Sequence, residues 1–156
     1  MSIRVQEVVQ ILEGVRALED GVGLVYETCA DMYPETADFW KKLSAAERNH
    51  ARIAVEMAKM VAADPGDYEM GRPLSLVAIN HVIKGMAEQR DVLLRKKTPL
   101  KQALAIALDL EQSILERSYA DFLKSKSPLY NSLVQRLVVD TTEHRRLLAE
   151  KMASLG

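Results

Sequence analysis

Four stretches of this sequence carry an apolar stripe at alternating three- and four-residue spacing, and each stripe is broken near its middle by an ionisable or polar side chain. The first passes through Val8, Leu12, Val15, Glu19, Val22, Tyr26 and Cys29. The second passes through Trp40, Leu43, Glu47, His50, Ala54, Met57 and Val61. The third passes near Leu104, Leu108, Glu111, Leu115 and Phe122, with Tyr119 alongside, and the fourth through Val134, Leu137, Thr141, His144 and Leu148. Such spacing lines one face of a helix with apolar groups that must be buried against other helices. The chain is therefore expected to be all-α, with Glu19, Glu47, His50, Glu111, Thr141 and His144 facing inward.

The helix limits are marked by proline and by capping residues. The first helix is expected from about Ile3 to Asp31, and the second from Tyr33-Pro34 to about Ala63. The third is expected from Thr98-Pro99 to about Lys124, and the fourth from Ser127-Pro128 to about Ala153. Thr98 and Ser127 suit the N-cap, and the prolines after them suit the first helical position. DPGDYEMGRP, after the second helix, is a clear break. Leu74 to Lys96 then reads as a further helix, which at about 1.5 Å per residue spans roughly 30 Å. The pattern is thus two helical hairpins joined by a long, partly helical crossover.

An internal repeat ties the hairpins together. The stretch PETADFWKKLSAAERNHARIA, from Pro34, aligns without a gap on PLYNSLVQRLVVDTTEHRRLL, from Pro128, at an offset of 94 residues. Leu43 falls on Leu137 and His50 on His144, whereas Glu47 falls on Thr141. Glu-x-x-His on a helix puts a carboxylate and an imidazole on one face. The interrupting positions are also level. Glu19 and Glu47 each lie 14 residues from residue 33, and Glu111 and Thr141 each lie 15 residues from residue 126. Equal distance from a bend gives equal height on antiparallel helices. Three carboxylates and two imidazoles are expected to converge in one layer, where burial demands compensation. A divalent cation provides it, and hard oxygen with imidazole suits iron or manganese and admits zinc. Glu47 and His50 also allow a plainer reading, a hydrogen-bonded pair without a metal.

Composition removes other classes. At 156 residues the chain is one domain, and its net charge of −1 gives no nucleic-acid or membrane signal. Cys29 is the single cysteine, so there is no intrachain disulfide and no Cys-x-x-Cys iron centre. No apolar run long enough for a membrane span and no secretory leader is evident, and a cytoplasmic location is expected. His81, Lys41-Lys42 and Arg145-Arg146 read as surface, Trp40 as core filling, and Tyr26 and Tyr119 as core aromatics with bonded hydroxyls.

Taken together, Glu19 with Tyr26, Glu47-Arg48-Asn49-His50, Glu111 with Tyr119, and His144 resemble the ferritin-like superfamily, and most of all its rubrerythrin branch. The resemblance covers nearly the whole chain. It implies a ferritin-like four-helix bundle spanning residues 1–156, with a long, partly helical crossover between the second and third helices. It also implies a two-ion carboxylate site. Glu19 and His50 would be terminal ligands of one ion, Glu111 and His144 of the other, and Glu47 would bridge. The sequence departs from the family pattern at Thr141, where a second bridging glutamate is usual, and at Ile114, where rubrerythrins carry a further glutamate. Asp140, four residues before His144, could orient that ring. No rubredoxin-type domain is present, so redox chemistry would need a separate electron donor, and a homodimer is the expected assembly. The ending Ala153-Ser154-Leu155-Gly156 shows no extra helix of the kind storage cages use.

Three functions fit these residues: a rubrerythrin-like non-haem iron protein reacting with peroxide or dioxygen, a metal-binding protein without turnover, and a helical bundle whose surface is the working part.

Overall fold

The computed structural model describes residues 4–95, 97–113 and 116–156, with side chains described except at 116–118. The fold is all-α apart from one two-stranded ribbon. Helix α1 covers Val5–Met32, α2 Ala37–Ala63, α3 Leu76–Arg95, α4 Leu100–Ser113, α5 Glu116–Phe122 and α6 Pro128–Ser154. Strands β1 (Tyr68–Met70) and β2 (Leu123–Ser125) pair antiparallel, Tyr68 opposite Ser125. No described helix is long and apolar enough to cross a membrane.

Helices α1 and α2 form the first hairpin. The chain turns through a short 3₁₀ segment, Pro34–Thr36, so α2 begins three residues later than the proline suggests. Arg48 of α2 reaches across to Asp20 and Glu27 of α1, at 3.0 Å each. Helix α3 lies along the outer side of α1 and runs parallel to it. Gly14 and Gly21 leave room for this approach, since a β-carbon at 14 would sit 2.9 Å from Leu76 Cδ1. Arg90 Nε donates to Thr28 Oγ1 at 3.0 Å at the far end of the same contact. The crossover therefore returns the chain to the α1–α2 bend, where the Tyr33 hydroxyl donates to the Thr98 carbonyl at 2.6 Å. There the second hairpin starts, with α4 and α5 packed against α6.

The third helix differs from its expected form. It stops at Phe122 rather than Lys124, because residues 123–125 pair with β1; α4 and α5 are its described parts, and residues 114 and 115 lie outside the described residues. The ribbon holds the lower ends of both hairpins together. Gly71 N donates to Phe122 O at 2.9 Å and Arg72 N to Asp121 O at 2.7 Å. A β-carbon on Gly71 would lie 2.1 Å from the Asp121 carbonyl oxygen. Gly71→Ala must therefore push backbone from backbone, and should lower stability by roughly 1–3 kcal/mol, read as a fall in Tm with the far-ultraviolet spectrum retained. Ser127 caps α6, its hydroxyl accepting from Tyr130 N at 3.2 Å.

All seven positions of the first stripe and all seven of the second are buried, as are all five of the fourth. In the third, Leu104, Glu111, Tyr119 and Phe122 are buried, Leu108 is half-buried and Ala107 takes its place in the core. Ile114 and Leu115, together with the outermost positions Ile3 and Lys96, lie outside the described residues.

Candidate metal centre

Each hairpin contributes half of one buried layer. On α1, apolar neighbours at Val15 and Val22 bracket Glu19 and turn it inward, and on α2 Leu43 and Ala54 do the same for Glu47 and His50. Leu104 and Ala107 set the inward face of α4 that carries Glu111, and Leu137 and Leu148 that of α6 for His144. The structure brings all five side chains together. Glu19, Glu47 and Glu111 are each no more than 1 % exposed, His50 is fully buried and His144 is 6 % exposed.

Glu47 stands at the centre. Its Oε2 lies 3.3 Å from His50 Nδ1 and its Oε1 2.9 Å from His144 Nδ1. The two rings stack around it, centroids 5.6 Å apart and planes inclined by 24°. Glu19 Oε2 is 3.6 Å from His50 Nδ1, and Glu111 Oε1 is 3.4 Å from His144 Nδ1. Two clusters result, Glu19–Glu47–His50 and Glu47–Glu111–His144, each with ligand-type atoms close enough to hold one metal ion, and Glu47 belongs to both.

The tyrosines cross between hairpins. Tyr26 of α1 donates from its hydroxyl to Glu111 Oε1 of α4, and Tyr119 of α5 donates to Glu19 Oε1 at 3.4 Å. Each occupies one carboxylate oxygen, and Glu111 Oε1, held by Tyr26, is also the oxygen that faces His144. Glu19 Oε2 and Glu111 Oε2 are buried without a hydrogen-bond partner. Buried carboxylate oxygens without partners are costly, and a divalent cation in the layer would satisfy both. The donor set fits such an ion: carboxylate oxygen and imidazole nitrogen, with no thiolate.

Asp140 does not orient His144. Its Oδ2 accepts from His50 Nε2 on the opposite hairpin at 3.0 Å. The position precedes Thr141 by one residue and so points about 100° away from the core direction, toward α2. His50 thus meets carboxylates at both ring nitrogens. Thr141 is buried at the height of Glu47 and supplies no carboxylate.

Without metal, protons do the compensating. Burial, followed by the charge of Glu47, raises the Glu19 carboxyl to about 8. Burial alone would lower the two imidazoles. The facing carboxylates of Glu19 and Glu47 overcome it and hold His50 up to about 11, and those of Glu111 and Glu47 hold His144 up to about 9. Burial, and then the neighbouring carboxylates with Glu111 first, push the Tyr26 phenol far above its usual range.

The linkage has one sign for all three raised groups. The native state keeps a proton on Glu19 that the unfolded chain loses near 4.5, so this contribution declines as pH rises from there through about 8. The histidine contributions are complete below 6.5 and are lost as pH rises through about 9 and about 11. Metal ligation must displace the same protons. Chelator-treated protein should therefore melt at progressively lower temperature from about pH 5 to about pH 9, while its affinity for added metal increases over that window. Thermal melts with and without metal across the series check both slopes.

Outside this layer, His81, Lys41 and Lys42 are exposed and Trp40 is fully buried, each as expected. No family model matches the chain, nor does any curated protein or solved structure, so the reading of the centre rests on the geometry of these five side chains.

Proposed function

We propose that this chain is a ferritin-like, rubrerythrin-like protein that holds iron between its two helical hairpins and passes electrons from a separate donor to peroxide or dioxygen. One observation carries the reading: Glu47 offers one oxygen to each of two Glu/His clusters. That division is what a bridging carboxylate between two ions requires. The connectivity agrees with it, since one long crossover joins two antiparallel hairpins as in ferritin-like folds.

In this reading Glu19 and His50 hold one ion, Glu111 and His144 the other, and Glu47 spans both. Bound ferrous iron would supply the electrons for peroxide reduction. The protein's own groups do the rest. The Tyr26 and Tyr119 hydroxyls each hold one oxygen of Glu111 and Glu19, and so fix how these carboxylates sit in the layer. Asp140 holds the His50 ring by its Nε2, leaving Nδ1 for the layer. The surrounding valines, leucines and Trp40 exclude bulk water.

Protein isolated without chelator should contain iron, and anaerobically reduced protein should be oxidised by hydrogen peroxide in a single rapid phase followed by absorbance. Metal content without a peroxide reaction would make the chain a metal-binding protein without turnover. That second reading has Thr141 in its favour, since three carboxylates leave two divalent ions incompletely balanced. Absence of any metal would overturn both.

A further inference from the structure

The repeat between residues 34–54 and 128–148 would make the two halves of the centre equivalent, but it is broken at two neighbouring positions in the core layer. Glu47 aligns with Thr141, and Ala46 aligns with Asp140. The first break makes Glu47 common to both clusters. The second separates them. Asp140 Oδ2 accepts a hydrogen bond from His50 Nε2 at 3.0 Å, and Arg136 Nε stands 3.7 Å from the same oxygen. In the other half the matching residue is Ala46, whose methyl group accepts nothing. His144 is held from its ligand edge, by Glu47 at 2.9 Å and Glu111 at 3.4 Å. It also keeps 6 % exposure where His50 keeps none.

An outer carboxylate fixes a ligating imidazole in one tautomer and makes its other nitrogen a better donor, and its loss typically costs 10–100-fold in metal affinity. We propose that the two clusters are inequivalent ion sites: a divalent transition metal is held tightly by Glu19, Glu47 and His50 and exchangeably by Glu47, Glu111 and His144, with Asp140 the residue that positions His50. This rests on the metal reading above and adds an order of filling and a cause for it.

Cobalt(II) titration of the chelator-stripped full chain, followed by ligand-field absorption, tests this. Two binding steps should appear, separated by about tenfold or more in Kd. Asp140→Ala should weaken the first step by about 10–100-fold and shift the absorption bands of the first-bound cobalt, leaving the second step in place. Ala46→Asp should tighten the second step. His50→Ala should remove the tight step and His144→Ala the weak one, a comparison that stands even if the Asp140 variant folds poorly. Two equal steps, one concerted two-ion step, an Asp140→Ala loss shared by both steps, or the reverse histidine assignment would each overturn the inequivalence while leaving the metal reading intact. No cobalt binding by the unmodified chain would overturn the metal reading, and the inequivalence with it.

Discussion

Glu47→Ala should strip the protein of metal, whereas Glu111→Ala should leave the ion held by Glu19, Glu47 and His50. Glu47 is the one carboxylate placed in both clusters, with separate oxygens facing His50 and His144. Removing it leaves each ion position with one carboxylate and one imidazole, too few for a divalent ion that favours four or more ligands. Removing Glu111 depletes one position and frees the Tyr26 hydroxyl, but it spares the other cluster. Metal-to-protein ratios after identical purification give the answer: near zero for Glu47→Ala, reduced but substantial for Glu111→Ala. Equal ratios would remove Glu47 from its bridging place. The metal-free proteins should differ as well. Glu47 accepts from both raised imidazoles, and deleting one partner of a buried ion pair costs about 3–5 kcal/mol. Glu47→Gln keeps the volume and loses the charge, so it separates that electrostatic part from the cavity left by alanine.

The layer was legible because its cause is local. A glutamate or histidine within an apolar stripe is turned inward by its neighbours three and four residues away, and equal distance from a bend sets its height. Glu19, Glu47, His50, Glu111 and His144 all followed from those two rules. What the sequence did not carry was rotation of one helix about its axis relative to another hairpin. Asp140 lies one residue off the inward stripe, and its partner depends on which helix stands beside that flank. The rotation places α2 there, so His50 is the partner rather than the ring one turn along on α6. The crossed tyrosines have the same origin: Tyr26 and Glu19 share a helix face, yet each bonds across the interface to the other hairpin.

The ribbon was hidden for a different reason. Strands of three residues have no periodicity to read, and Leu123 and Ser125 continue plausibly from α5. Pairing with Tyr68–Met70 is a long-range event that satisfies backbone groups at the end of α5, and it wins there because Gly71 permits backbone contact that another residue would block.

Thr141→Glu should move the stability of this protein in opposite directions with and without iron. Thr141 is buried at the height of Glu47 and three residues before His144, so a glutamate there completes the Glu-x-x-His that the first repeat already has. In metal-free protein the new side chain must fit a filled core, at roughly 1–3 kcal/mol, and it adds a buried carboxyl to a layer whose Glu19 already retains its proton up to about 8. The melting temperature should fall. With iron the same group becomes a fourth carboxylate, the number that balances two divalent ions. Binding to the native state alone stabilises it by mass action, about 2.7 kcal/mol when free ion exceeds Kd a hundredfold. The iron-induced rise in Tm should therefore be larger than in the unmodified chain, with iron content moving toward two per protein. A variant that gains no iron would mean that the layer is not a metal centre. Two ions already held tightly by the natural chain would mean that another group does the work assigned to the missing glutamate. Asp140 is a carboxylate beside the layer that belongs to neither cluster, but its hydrogen bond to His50 Nε2 would first have to break. That cost makes position 141, rather than Asp140, the more direct place to add a fourth carboxylate.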